Sequence, residues 1–216
     1  MATLDLMTAA QLPSTVRDAV EAERLPLFIT AVSEQLAAYC RYPLHCRVGV
    51  VESAVGQGGM YLWLRSGAIR QVTSVEVRGQ ARAPSSYAIE SAMQGRLVAR
   101  GEPWPFTGTW TTGVAPTPLN AQDTGEVLVT FDAGWVTPGQ HAVDASLPVD
   151  LPASIQLAAQ QCLAAFVHVD GQPGDLASES IGAASVSYLT GPNGERMAIP
   201  ATARQLLARY RKAAPS

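Results

Sequence analysis

The stretch Val129–Gly139, VTFDAGWVTPG, begins with the pattern of a β-strand and ends with that of a loop. Val127, Val129 and Phe131 recur at every second position, which predicts a strand with one buried face. The run Asp-Ala-Gly then interrupts the alternation, and Pro138-Gly139 adds a turn signal. About a dozen residues later the helix-like run LPASIQLAAQQCLAAF begins. The chain therefore leaves a strand-rich region at this point and returns to a helical one.

Two helices are predicted on the N-terminal side of the strand-rich region. Thr15, followed three residues later by Asp18, resembles a capping box and predicts a short helix that ends near Arg24. Pro26 fits the first turn of a second helix, which Pro43 ends. The apolar residues of this second helix recur at helical spacing and form one stripe that must face a core. They are Leu25, Phe28, Ile29, Val32, Leu36 and Tyr39.

Between Arg47 and Gly134 the apolar period changes from the helical one to two. Gly, Pro and Ser separate the strand-like runs RVGVVESA, GMYLWLR, QVTSVEVRG, SYAIES, GRLVAR and EVLVTF. We expect an antiparallel meander or small sandwich with one exposed face. The long loop at residues 101–125 is rich in Pro and Trp, and loops of this length are usually functional. We expect it to protrude and to offer Trp104, Phe106 and Trp110 as contacts.

Helical periodicity returns after the strand-rich region. A helix is predicted with Asp150 as its cap and Pro152 in its first turn. Its apolar stripe contains Ile155, Ala159, Cys162, Leu163, Phe166 and Val167. A small, polar segment follows, with one strand candidate, ASVSYL. The last predicted helix begins at Pro200, and the basic residues of its final turn suit the helix dipole.

The order of helices, strands and helices predicts an α+β fold. We expect a helical core built from the N- and C-terminal helices, with an antiparallel β-rich lobe inserted between them. The predicted divisions are residues 1–45, 46–149 and 150–216, of which the last completes the core and supplies a docking segment. A chain of 216 residues buries roughly 70% of its unfolded surface, so it needs neither metals nor disulfides to fold.

The charge is distributed unevenly around a net value of −3. Residues 101–195 contain no Lys or Arg but many acids, whereas residues 196–212 are basic. One interpretation is that the acidic and basic stretches join neighbouring copies of the chain by complementary charge. The other is that the acids only keep surface loops solvated. A concentrated basic face with interleaved aromatics is missing from the sequence, which argues against sequence-specific DNA binding. No apolar run is long enough for a membrane span, so we expect no membrane association.

The sequence offers little for catalysis or for metal binding. Cys40, His45 and Cys46 lack an evident fourth ligand for zinc, and we expect free thiols. A small cysteine-dependent hydrolase built on Cys162, His168 and Asp170 is the enzymatic alternative. Burial on an apolar stripe would, however, leave the Cys162 thiol inert.

His141 and Asp144 could in principle form an oriented base. We place His141 in a Pro/Gly loop and expect a surface role for it. The common catalytic and nucleotide-binding motifs do not occur in the sequence. We therefore expect neither enzymatic activity nor a cofactor nor a metal.

The order and spacing of these segments resemble the head–tail connector (head-completion adaptor) proteins of tailed bacteriophages and gene transfer agents. The matching segments are AAYCRYPL, LWLRSGAIRQVTSVEVRG, SYAIE, GRLVARGEPW, VLVTFDAGW, the alanine-rich helix, SESIGAASVSYL and IPATARQLLARYRK. They extend from about residue 25 to residue 212. The resemblance implies that the Asp-Ala-Gly break in VTFDAGW is the exit from an inserted lobe.

The resemblance also implies a structural role without turnover. Such proteins form a ring under the portal, usually twelvefold, that extends the DNA channel and offers a platform to the next neck or tail protein. Their C-terminal segment commonly docks on the portal. The corresponding residues here are Arg204, Leu206, Leu207, Arg209, Tyr210, Arg211 and Lys212.

The implied location is the neck of the virion, after assembly in the host cytoplasm. The DNA would pass through the ring without sequence-specific binding, and the acidic stretch would line an acidic lumen, since each Lys or Arg contact strengthens phosphate binding. Another neck or tail-completion protein, the hydrolase, and a sugar- or peptide-binding module with a Trp-rich loop are the alternatives.

Overall fold

The computed structural model describes residues 4–106, 127–170 and 196–212, together with the strand segments 180–181, 184–185 and 188–190. It contains helices and antiparallel sheets, so the predicted α+β class is confirmed. The chain forms two compact units. The helical unit consists of Met1–His45 and Trp135–Ser216, and the β unit is Cys46–Gly134.

The α-helices of the described chain all belong to the helical unit. They are α1 (Ser14–Arg17), α2 (Leu25–Cys40), α3 (Pro138–Val143), α4 (Ala153–Asp170) and α5 (Ala201–Leu207). On α2, Leu25, Ile29, Val32 and Leu36 are buried, and Phe28 and Tyr39 are half-buried. Ile155, Ala159, Cys162 and Leu163 of α4 are buried as well. The two predicted apolar stripes are therefore confirmed as core-facing.

The N-terminal helix is shorter than predicted, because α1 ends at Arg17 and not near Arg24. Nearly every residue from 13 to 24 is exposed. Short helices are marginal without tertiary packing, and this segment has no buried face that would extend the helix.

Helix α3 lies where the sequence predicted a loop. Its N-terminus is a capping box, in which Thr137 Oγ1 accepts a hydrogen bond from the Gln140 backbone N–H at 3.1 Å. Thr137 N–H donates to Gln140 Oε1 at 3.2 Å in return, and Pro138 occupies the first turn. The loop assignment of His141 is therefore wrong, since this residue lies within α3. Pro138 starts the helix, as proline does at a first turn, and does not mark a loop.

Short strands complete the helical unit near its C-terminal end. They are β8 (Ser180–Ile181), β9 (Ala184–Ser185), β10 (Tyr188–Thr190) and β11 (Arg196–Ala198). β8 pairs with β9 and β10 with β11, both antiparallel. The strand candidate ASVSYL thus corresponds to β9 and the start of β10.

The β unit contains the remaining strands in two antiparallel sheets. They are β1 (Arg47–Ala54), β2 (Tyr61–Trp63), β3 (Ile69–Val77), β4 (Gln80–Ala81), β5 (Tyr87–Ser91), β6 (Arg96–Ala99) and β7 (Val127–Ala133). One sheet has the order β1-β7-β3-β4, and the other has the order β2-β6-β5. The six strand-like runs of the sequence all correspond to strands.

The two sheets of the β unit share one hydrophobic core. Leu62 and Leu97 contribute from the three-stranded sheet, while Val75, Val129 and Phe131 contribute from the four-stranded one. All five side chains are 0% exposed. This arrangement is a small sandwich, with alternate residues of each strand facing the core.

The chain leaves the β unit at Gly134, at the end of the central strand β7. Gly134 has a φ of 82°, in the left-handed region that glycine adopts without steric cost. Its N–H donates to the carbonyl of Ala68 at 2.8 Å, and the next N–H, of Trp135, donates to the carbonyl of Leu44 at 3.0 Å. Residues 135–149, which the sequence assigned to the lobe, lie in the helical unit.

Candidate functional site

The C-terminal segment that the sequence assigned to docking packs against the helical unit. Leu207 at the end of α5 is 0% exposed, and Tyr210, in the 3₁₀ turn Ala208–Tyr210, is 3% exposed. The hydroxyl of Tyr210 lies 2.8 Å from Ser154 Oγ. Leu207 and Tyr210 are therefore core residues of this chain, and we remove them from the predicted docking set.

The charged residues of the same segment remain at the surface. Arg209 and Arg211 are exposed, and Arg204, Leu206 and Lys212 are half-buried. These five residues keep the docking role as a prediction. The segment thus separates into a buried apolar side, which holds it in place, and a basic outer side.

Arg209 is held over Tyr210 by hydrogen bonds as well as by its charge. Its guanidinium donates to the hydroxyl of Tyr210 at 2.6 Å and to Ser154 Oγ at 2.8 Å. It also lies 4.7 Å from the centroid of the Tyr210 ring, a cation–π distance. The position of this charge is thus fixed by the fold of the helical unit.

The end of the segment is attached to the C-terminus of α2. The N–H of Lys212 donates to the carbonyl of Cys40 at 3.2 Å. Arg211 lies 5.1 Å from the ring centroid of Tyr39, and the ammonium of Lys212 lies 5.7 Å from that of Tyr42. Cations near a helix C-terminus are favourable because they oppose the partial negative charge of the free carbonyls.

Arg41 adds a further exposed cation at this place, in the left-handed conformation that ends α2, with a φ of 67°. We call Arg41, Arg209, Arg211 and Lys212 the basic end. The sequence analysis missed Arg41. The signal was present in AAYCRYPL, where an arginine directly follows the last turn of the helix that Pro43 ends.

Aromatic rings pack against the tyrosines on which the basic end stacks. Trp135 lies edge-on to Tyr210, with a centroid distance of 5.7 Å, and 6.5 Å from Tyr42. Burial, followed by the nearby Cys40 and Tyr210, raises the pKa of Tyr42 well above its ordinary value. The phenol of Tyr42 therefore stays neutral, and the charge of this surface comes from its Arg and Lys residues.

The three residues assigned to loop contacts have different outcomes. Trp104 is 0% exposed and belongs to the core of the β unit, so its assignment to a protruding contact is wrong. Its indole N–H donates to the carbonyl of Met60 at 3.0 Å, and Arg82 stacks on its ring at 4.9 Å. Phe106 is 40% exposed. Trp110 lies outside the described residues.

The geometry gives no support to cysteine-based catalysis. Burial raises the pKa of the Cys162 thiol to about 12. The same cause raises the pKa of Cys40 to about 12, although the charge of Arg211 opposes it. His168 and Asp170 are at the end of α4, but their side chains are outside the described part of the structure. A thiol with so high a pKa is a poor nucleophile at neutral pH.

The described residues contain no grouped metal ligands, and a hollow in the helical unit is small and apolar. In residues 4–106, 127–170 and 196–212, no three His, Cys, Asp or Glu side chains are grouped as a metal site requires. A hollow of about 200 Å³ in the helical unit is lined mainly by apolar residues, Leu4, Leu6, Ala37, Pro43 and Leu44 among them. Ligand sites usually measure roughly 300–1,000 Å³. Within the described chain, no helix combines the length and apolarity that crossing a bilayer requires.

We predict that iodoacetamide alkylates Cys162 and Cys40 very slowly in the folded protein. A rise in thiol pKa from 9.0 to about 12 reduces the reactive thiolate at neutral pH by about a thousandfold. Mass spectrometry of peptides after timed alkylation measures the rates, with the half-buried Cys46 as the internal control. Denaturant should bring all three rates together. Labelling of Cys162 as fast as that of Cys46 in the native protein would contradict the prediction and favour the hydrolase.

Solved structures provide the comparison for this fold. A chain in the neck of an empty gene transfer agent (GTA) particle, computed with C6 symmetry, matches with a TM-score of 0.53 and 16% sequence identity. The match covers 100% of this chain and 95% of that chain. A chain in the virion of a native GTA particle matches with a TM-score of 0.51 and 16% identity, over 100% and 94% of the two chains.

A chain in the neck of a native GTA particle, computed with C12 symmetry, matches over 100% of this chain and 94% of that chain, with 19% identity and a TM-score of 0.48. No model of a known protein family and no curated protein matches the chain. The predicted resemblance to neck proteins of gene transfer agents is confirmed at the level of the fold.

Proposed function

We propose that the chain is a structural protein of the neck of a phage-like particle. The observation that carries this proposal is the match in fold over the whole chain, 100% of it, to a chain in a GTA neck. Both compact units are included in that match, so it does not rest on one common substructure. The buried thiol of Cys162, whose pKa is raised to about 12, favours this proposal over the cysteine-dependent hydrolase.

Within the neck, we propose the role of an adaptor that forms a ring under the portal. The C6 symmetry of the neck that contains the matching chain supports a ring, and twelve copies fit that symmetry. The ring would extend the DNA channel and offer a platform to the next neck or tail protein. DNA would pass through it without sequence-specific binding, and the acidic stretch 101–195, of which residues 107–126 and most of 171–195 lie outside the described residues, would line the channel. An assembled ring with most of those acids on its outer surface would contradict the proposed acidic lining.

The basic end is our proposed contact with the portal, together with Arg204 and Leu206. Its cations are positioned by the fold: two stack on tyrosines, and the backbone of Lys212 is bonded to the end of α2. Such a preorganised charged surface loses little side-chain entropy when it binds. A complementary acidic surface on the portal would accelerate docking and fix its register.

Reversal of two charges tests the docking proposal. The double variant Arg209→Glu, Arg211→Glu should bind the portal about tenfold more weakly, because two attractive contacts become repulsive. Co-sedimentation with portal rings at low salt measures the affinity, and the difference should shrink as salt is added. Thermal melting should show that the variant is folded.

The matched control is Arg65→Glu, Arg100→Glu, which changes the net charge equally on exposed residues of the β unit. This control should bind the portal like the natural sequence. Equal weakening by both double variants would show that only the overall charge matters. Unchanged binding by the first variant would remove the basic end from the portal contact.

A further inference from the structure

Two exposed aromatic rings lie next to each other on the outer face of the three-stranded sheet. Tyr61 and Trp63, on either side of the buried Leu62 in β2, are each 49% exposed. Residues two apart on a strand share a face and are separated by about 6–7 Å. The two rings therefore form a short aromatic platform that takes no part in the core of the β unit.

Strand register places an arginine beside both rings. Arg96 of β6 is paired with Trp63 of β2. Its guanidinium lies 5.1 Å from the ring centroid of Tyr61 and 5.0 Å from that of Trp63, which are cation–π distances. Arg96 is also ion-paired with Glu90 of β5. Since this ion pair is neutral as a whole, Arg96 holds the rings in place but does not supply a charge for a ligand.

Two further arginines continue the same face at its two ends. Ala99 and Leu64 are buried, and the N–H of each donates at 2.8 Å to a carbonyl beside the opposite strand, so the pairing of β2 with β6 extends to both. Arg100 follows Ala99 and Arg65 follows Leu64, and alternation directs both arginine side chains outward. Both are exposed. Within the described chain, neither guanidinium has an ion pair or a hydrogen bond.

Cations and rings alternate along this face. The antiparallel register places Arg100 beyond Tyr61 and Arg65 beyond Trp63, with Arg96 between the two rings. We call Arg100, Tyr61, Arg96, Trp63 and Arg65 the stacking row. A basic surface with interleaved aromatics is missing from the sequence as it is written, because the members of the row come from two strands that are far apart along the chain. The fold brings them together.

The charges near the stacking row leave Arg65 and Arg100 as its two uncompensated cations. Glu90 is paired with Arg96, as described above. The carboxylate of Glu52 accepts a hydrogen bond from the backbone N–H of Arg65, but it interacts electrostatically with Arg47. The row therefore attracts an anion at both of its ends.

A ligand for the stacking row must match both the cations and the rings. The two guanidiniums favour an anion, and the exposed rings favour a planar group. A nucleic-acid strand carries one phosphate and one base per nucleotide, and proteins bind single strands by combining cations with aromatic side chains on which the bases stack. In a duplex the bases are already stacked on one another, so their faces are not available to the rings.

We propose that the stacking row binds single-stranded DNA, with bases stacked on Tyr61 and Trp63 and phosphates in contact with Arg65 and Arg100. This activity goes beyond the structural role proposed above. Only the choice of DNA over RNA rests on that role, since it places the chain around DNA. Stacking is tolerant of sequence, so the site agrees with the passage of DNA without sequence-specific binding. An unpaired strand at the end of that DNA would be the ligand.

Fluorescence anisotropy with a labelled oligodeoxythymidine of about twelve nucleotides tests the site. Trp63→Ala should bind this oligonucleotide about tenfold more weakly than the natural sequence, the usual effect of losing one base–aromatic stack. Trp63→Phe, which retains a ring, should bind within about threefold of the natural sequence. A duplex of the same length should bind more weakly than the single strand, and Trp63→Ala should not change its affinity.

The salt dependence of binding tests the two arginines. For single strands, the logarithm of the binding constant falls with the logarithm of the salt concentration with a slope of about 0.7 per neutralised phosphate. Arg65→Gln and Arg100→Gln should each reduce this slope by about 0.7, whereas Trp63→Ala should leave it unchanged. The control is Arg78→Gln, at an exposed residue next to the end of β3. It should alter neither the affinity nor the slope, and thermal melting should show that all variants are folded.

Three results would overturn the inference. In the first, the natural sequence does not bind the oligonucleotide at low salt. In the second, Arg78→Gln weakens binding as much as Arg65→Gln, so that only a general attraction between charges remains. In the third, Trp63→Ala binds the oligonucleotide normally, and weaker co-sedimentation of this variant with portal rings would then identify the row as a protein contact. The proposed function would survive all three results, because assembly on the portal is measured without an oligonucleotide.

Discussion

Replacement of Trp104 by alanine should lower the free energy of unfolding of the β unit by about 3–5 kcal/mol, the usual cost of removing a buried Trp. The side chain is 0% exposed within a core that both sheets share. Its loss also leaves the Met60 carbonyl without the indole donor at 3.0 Å and removes the ring on which Arg82 stacks. Unfolding in urea, followed by far-UV circular dichroism, measures the change.

The matched control is Trp63→Ala, in the same unit and 49% exposed. It should cost no more than about 1 kcal/mol, because a surface substitution opens no cavity. If the two alanine variants unfolded at the same urea concentration, Trp104 would not be a core residue. The Pro/Trp loop would then begin before it, as the sequence predicted.

Leu207→Ala should lower the free energy of unfolding of the helical unit by about 2–5 kcal/mol. Leu207 is fully buried at the end of α5, whereas its neighbour Leu206 is half-buried. Leu206→Ala is therefore the matched control, and it should cost about 1 kcal/mol or less. Urea unfolding of the two variants under identical conditions provides the comparison.

Portal binding separates a structural role for Leu207 from a contact role. Below its unfolding transition, the Leu207→Ala variant should bind the portal as the natural sequence does, because its side chain is covered by the chain itself. A variant that is as stable as the natural sequence but has lost portal binding would restore Leu207 to the docking set.

The regular elements could be predicted because their signal is local. The period of two gave the strands that became β1, β2, β3, β5, β6 and β7, and the helical period gave the buried stripes of α2 and α4. The opening stretch was interpreted correctly in one respect: the chain leaves the β unit at the Asp-Ala-Gly break, where Gly134 takes a positive φ. Such elements can be predicted from local periodicity because the burial of one face stabilises them.

The elements that were missed depend on a few specific contacts. Helix α3 has six residues and is too short for a periodic signal, so its evidence was the pair Thr137 and Gln140. The predicted extension of α1 had a plausible cap but no face to bury. In both cases the outcome was decided by side-chain hydrogen bonds or by packing, and not by the apolar pattern.

The site residues were the hardest to predict because burial is a property of the whole fold. Trp104 lies in a Pro-rich run that is typical of a loop, yet its partners Met60 and Arg82 are far away along the chain. Tyr210 is buried through Trp135 and Ser154, which no spacing in the C-terminal segment reveals. Arg209 and Arg211 of that segment, which the sequence assigned to docking, are exposed, and their docking role stays a prediction.

Electron cryo-microscopy of the chain mixed with portal rings from the same particle tests the central claim most directly. We predict an added ring beneath the portal with sixfold or twelvefold symmetry, in which the basic ends face the portal. A chain that stays monomeric and adds no density to the portal would contradict the claim.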